Sequence, residues 1–161
     1  MKRALLALLL LVVAQPLAGC SGAKDDDARY KADLREATNQ ARAKLPYFWA
    51  HYDAPEVDEY DFSLKIAIPR KDGKPGTEDT WVESLVRREP SGYAGDLMVD
   101  PQFLGDLKRG AVINFEDRQI LDWAFLRGEE LIGHYTTRVM LPRMPAEQAE
   151  GLKSMFGENP K

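Results

Sequence analysis

One cysteine, Cys20, and two histidines, His51 and His134, are all that 161 residues offer of the residue types that most often build covalent and metal sites. A lone cysteine forms no internal disulfide, and two distant imidazoles without ligand spacing make no zinc site. No Gly-x-Ser-x-Gly elbow occurs, so the serine-hydrolase arrangement built on that turn is excluded. The segment "GKPGT", residues 73–77, lacks the Gly-Lys-Ser/Thr ending of a phosphate loop and reads as a hairpin turn. There is no basic block and no lysine/arginine run interleaved with aromatics, and the net charge is −4. Nucleic acid is thereby excluded as a partner, because such affinity rests on neutralising phosphates. The acid pairs Glu116–Asp117 and Glu129–Glu130 fall in expected turns and read as solvated edges. No metal and no cofactor is expected.

What is present begins with the amino terminus. "MKR" is a positive start, and "ALLALLLLVV" is an apolar run too short for a comfortable membrane span. "LAGC", Leu17 to Cys20, then resembles the lipobox of bacterial lipoproteins: an aliphatic residue, two small residues and a cysteine. The resemblance implies a cleaved signal peptide at 1–19, diacylglycerol on the Cys20 sulfur and a further acyl chain, such as palmitate, on the new amino terminus. Two or three chains make a lasting membrane anchor. The expected location is the bacterial cell envelope, facing the periplasm, with Ser21 favouring the outer membrane. The chain from Cys20 onwards carries a net −6. Residues 20–27, with three successive aspartates, read as a lipidated flexible tether, and 28–157 as a single domain.

Apolar residues Tyr30, Leu34, Ala37, Ala41 and Leu45 recur at helical spacing, so a helix is expected from Ala28 to about Lys44, closed by Pro46. "YFWAHY" follows as an aromatic plug for one end of a core. The period then falls to two: Phe62, Leu64, Ile66 and Ile68 alternate with Asp61, Ser63 and Lys65. "RKDGKPGTED" turns this strand into a second, "TWVESLVRRE". "GYAGDLMVDPQFLGDLKRG" reads as a short strand, a turn and a glycine stop. "AVINFE" and "ILDWAFL" flank the turn "DRQ", and "LIGHYTTRVML" follows the turn "RGEE", making a double hairpin. "PAEQAEGLKSMFG" has the composition of a last helix. The expected fold is α+β: an antiparallel, strongly bent sheet of about five strands with an N-terminal helix and a short C-terminal helix.

If "RGEE" sets the register so that Leu126 faces Leu131, then Ala124 opposes Gly133, Asp122 opposes Tyr135, and Trp123 opposes His134. Ala124 and Gly133 would leave a hollow beside Asp122 and the Tyr135 hydroxyl. Asp122 is then either a desolvated base or ligand anchor, or a structural acid held by hydrogen bonds. The structural role is preferred.

The motifs "FSLKIAIP", "EDTWVE", "GDL", "G-x-V-I-x-F", "ILDW" and "GHYTTRVML" together resemble the YegJ-like family, domain of unknown function 2314. The likeness runs from about Arg42 to Leu141. It touches Phe62, Lys65, Glu78, Trp81, Gly95, Gly110, Asp122, Trp123, Gly133, Tyr135, Thr136 and Arg138. Leu64 departs from it where valine is common. The resemblance implies one compact α+β domain, and through inhibitor- or immunity-like relatives a binding role. The candidate binding residues are Trp81, Asp122, Trp123, His134, Tyr135 and Arg138. The expected function is a lipid-anchored, non-enzymatic binding or interaction module with a possible protein partner in the envelope. The alternative is a small envelope hydrolase using Asp122 or His134.

Overall fold

Alternating burial along Phe62–Ile68 and its neighbours creates a sheet with one strongly apolar face. A computed structural model describes residues 21–88 and 92–160; Cys20 and the expected signal peptide lie outside them. The elements are α1 (Ser21–Ala43), α2 (Leu45–Asp53), β1 (Glu59–Pro69), β2 (Thr77–Arg87), β3 (Tyr93–Leu97), β4 (Val112–Phe115), β5 (Ile120–Arg127), β6 (Glu130–Gly133), α3 (Tyr135–Met140) and α4 (Ala146–Met155). All strand pairs are antiparallel, in the order β4-β3-β2-β1-β5-β6. The fold is α+β, with six strands where about five were expected. No helix among the described residues is long and apolar enough to cross a membrane.

The connection between β4 and β5 dictates the shape of the sheet. Phe115 and Ile120 are five residues apart, which spans at most roughly 18 Å. Their strands are four places apart in the sheet, about 19 Å if it were flat, before any offset along the strands. The sheet must therefore curl, and the short 3-10 turn Asp117–Gln119 closes the gap. Gln119 fixes this crossing: its amide donates to the Ala67 carbonyl (3.0 Å) and its oxygen accepts from the Glu116 N–H (3.0 Å). The expected hairpin between "AVINFE" and "ILDWAFL" is thus corrected. Those strands lie far apart in the sheet order, and "DRQ" is a crossing rather than a turn.

Three further expectations change. Residues 21–27, read as a flexible tether, are the first turns of α1. The first helix stops at Ala43, next to the expected end at Lys44, but a second helix follows at once and Pro46 belongs to it. The proline sits in the first turn of α2, where its missing N–H costs nothing, and the aromatic cluster rides on α2. Phe48 is buried, stacked on Tyr52, edge-on to Phe62 and tilted against Trp123. Finally, "LIGHYTTRVML" is not one strand: β6 stops at Gly133 and the chain turns into α3. The core gathers Phe48, Leu64, Ile66, Val82, Leu97, Ile120, Trp123, Phe125 and Ile132 on one face. α1 packs against α3 and β5.

Candidate functional site

The register of β5 and β6 is the expected one, with Leu126 opposite Leu131 and Ala124 opposite Gly133. Beyond that pair the geometry departs. Gly133 (φ 86°) and His134 (φ 55°) both adopt the left-handed region, which throws the chain off the sheet. A side chain at Gly133 would collide with the Trp123 carbonyl and indole edge, so glycine is required there. The hollow expected between Ala124 and Gly133 is filled by this close approach.

Asp122 is wholly buried and anchors the turn. Its Oδ1 accepts the backbone N–H groups of Trp123 (2.8 Å) and Tyr135 (3.1 Å). Its Oδ2 accepts the Thr136 N–H and the Thr136 hydroxyl, both at 2.7 Å. A carboxylate from a neighbouring strand therefore caps the first turn of α3. Burial pushes the Asp122 carboxyl above its ordinary range, and these four donors pull it back only in part. Asp122 meets Tyr135 through the peptide and not the phenol; the Tyr135 hydroxyl is buried without a partner among the described residues, and burial raises it to about 12.

The remaining candidates separate. Trp123 is entirely in the core, its indole N–H donating to the Ala41 carbonyl at 2.8 Å, so no ligand can reach it. Arg138 clasps the C-terminal segment: it donates to the carbonyls of Gly133 (3.1 Å) and Gly157 (2.8 Å) and lies over the Phe156 ring. Tyr135 and Arg138 border a groove of about 760 Å³ with Asp33, Glu36 and Gln40 of α1. Of its polar side chains, Arg138 is engaged by the C-terminal segment, and Gln40 donates to the Glu36 carboxylate at 3.0 Å.

Trp81 and His134 come together, with ring centroids 4.8 Å apart. They line a second groove of about 620 Å³ between α1, the polar face of β1 and β2, α3 and α4. Leu34, Leu121, Met140, Met144 and Leu152 supply apolar walls, and Lys65, Asp79, Thr136 and Thr137 the polar surface. Lys65 pairs with Trp81 across β1 and β2, and with Asp122 across β1 and β5. Its ammonium donates to the Thr136 hydroxyl oxygen at 3.4 Å, while that hydroxyl donates onward to Asp122. The His134 ring sits 3.2 Å from the Thr137 hydroxyl. Burial, with Arg138 and Lys65 nearby, lowers its pKa to about 4, so it is neutral at physiological pH.

Lys65, Thr136 and the two methionines escaped sequence reasoning as site residues. The signal for Lys65 was present: alternation puts it opposite Leu64 and Ile66, on the face that Trp81 shares once β1 and β2 pair. A separate cluster, His51, Glu56 and Glu59, brings possible ligand atoms within 4.8 Å of one another. The buried Glu59 carboxylate there is already held by Arg127 (2.7 Å), His51 (2.9 Å) and the Glu56 N–H (3.0 Å). That is the arrangement of a closed ion-pair network.

The family model described as "Uncharacterized protein conserved in bacteria (DUF2314)" matches residues 31–158. The chain is 27% identical over 157 residues to "Uncharacterized protein YegJ" of Escherichia coli (strain K12), covering 96% of this chain and 97% of that protein. No solved structure matches. The chain belongs to the DUF2314 family.

Proposed function

We propose that this member of the family is a non-enzymatic binding module of the bacterial envelope, anchored through lipid on Cys20, which takes its ligand in the groove of Trp81, His134 and Lys65. The observation that carries the binding role is Asp122: it is wholly buried and each oxygen already accepts two donors from the protein, which leaves it out of a substrate's reach. Its work is to hold α3, and with it His134 and Thr136, against the sheet. An apolar groove with a few fixed polar groups is the usual form of a small-molecule site. The envelope location rests on the lipobox-like "LAGC" alone.

A thermal-shift screen tests the binding role. Compounds that raise the midpoint of the parent and not of Leu152→Trp, which fills the groove, support it. Hydrolysis of short-chain nitrophenyl esters that disappears in His134→Gln would overturn it in favour of a hydrolase.

A further inference from the structure

Lys65 stands apart from the other polar groups of the groove. Among the described residues no carboxylate lies within ion-pair distance of its ammonium. Its one hydrogen bond among the described residues is to a hydroxyl whose proton is committed to Asp122. An ammonium carries three donors, so two remain to be directed into the groove. Asp122 is reached only through that hydroxyl, so an incoming anion would give the ammonium a direct, charge-assisted partner.

The surroundings select the kind of anion. Beside the ammonium lie the Trp81 indole and the imidazole of His134; farther along come Leu34, Leu121, Met140, Met144 and Leu152. Methionines adapt their shape to an apolar guest. Burial and the positive charges of Arg138 and Lys65 keep the His134 imidazole neutral, which leaves the Lys65 ammonium as the cation lining the groove. Asp79 stands exposed at the rim, where it disfavours a second negative charge on the guest. The groove volume lies within the range of about 300–1,000 Å³ typical of small-molecule sites.

We infer that the ligand is a small amphipathic monocarboxylate, its carboxylate on the Lys65 ammonium and its apolar body between Trp81 and the methionines of α3 and its flank. This rests on the groove being a binding site, and it names the chemical class that the site takes.

The test uses three probes of equal chain length below their micelle thresholds: decanoate, decanamide and decylamine. Each is titrated calorimetrically into the mature chain, Lys65→Met, Lys65→Arg and Leu152→Trp, with melting midpoints confirming that every variant folds. Decanoate should bind the parent at least about tenfold more tightly than decanamide, and decylamine should bind weakest. Lys65→Met should remove that preference and Lys65→Arg should keep most of it. If all three probes bind alike and all are lost in Leu152→Trp, the groove binds ligands but the carboxylate assignment is wrong. If decanoate binds unchanged in Lys65→Met, the assignment is also wrong. If no probe binds the parent, the inference falls, while the compound screen still decides whether the groove binds anything else.

Discussion

Asp122 shows how one residue serves strand and helix at once. All four of its partners are donors, so an amide is a poor substitute: its oxygen satisfies one pair, and its NH2 then faces the other. Asp122→Ala and Asp122→Asn should each destabilise by roughly 2–4 kcal/mol, since buried backbone donors are left unpaired in both. Denaturant unfolding measures this, and an Asn variant as stable as the parent would contradict the capping role. His134 gives the second residue-scale prediction. Its folded pKa of about 4 lies below the ordinary 6.5. Between those values the unfolded chain binds a proton that the folded chain does not. Its contribution to stability is therefore intact above pH 6.5, falls as pH drops towards 4 and levels off below that, by on the order of 3 kcal/mol in all. Asp122 acts in the opposite sense, because a raised carboxyl gains stability as pH falls, so the comparison must be between parent and variant. Asparagine tolerates the left-handed backbone, and His134→Asn should remove this slope from the unfolding free energy between pH 4 and 6.5.

At the scale of elements, the C-terminal segment and α3 form one unit. Phe156 bridges to Leu131 in parallel and the Gly157 N–H donates to the Leu131 carbonyl at 3.1 Å, so the tail covers the open edge of β6. Asn159 accepts the Gly133 N–H at 2.9 Å, and Arg138 ties the carbonyls together. Arg138→Ala and truncation after Phe156 should each cost about 1–3 kcal/mol. The double variant should cost less than their sum by about 1 kcal/mol, because both remove the same bonds; strict additivity would mean that arginine and tail act independently. Much at this scale was legible in the sequence. Alternation gave β1 and β2, "RGEE" gave the β5–β6 register, and the last helix followed from composition. α3 was not legible: Thr136, Thr137 and Val139 are β-branched and read as strand. What overrides them is a carboxylate that lies thirteen and fourteen residues back, together with two successive left-handed residues. A local window sees neither. Trp81 and His134 were each picked out, but their meeting depends on that same turn, and so does the groove they share with Lys65.

At the scale of the whole molecule, the curl of the sheet was expected and its cause was not. "DRQ" looks like a hairpin because three residues usually join neighbours, and only the pairing of β4 with β3 reveals the crossing. The same view separates anchor from domain. Near its start, α1 touches the body through Arg143, which reaches the Asp27 carboxylate at 3.2 Å and the Asp26 carbonyl at 3.3 Å. Both charged side chains are largely exposed, and such pairs contribute about 0–1 kcal/mol. The stacking of Arg143 over Tyr30 and the docking of Ala37 and Ala41 lie farther along the helix. Removing residues 1–27 should therefore lower the melting midpoint by no more than about 4 °C, although residues 21–27 are helical and not a loose tether. The same deletion removes Cys20, so the product should leave the membrane fraction and still show the decanoate preference of the parent. Cys20→Ala should move to the soluble fraction with its midpoint unchanged, and the processed parent should carry acyl mass on its first peptide. A midpoint fall beyond about 10 °C on deletion would mean that the first turns of α1 belong to the core. A Cys20→Ala chain that stays in membranes, processed and at full yield, would dispose of the lipid anchor.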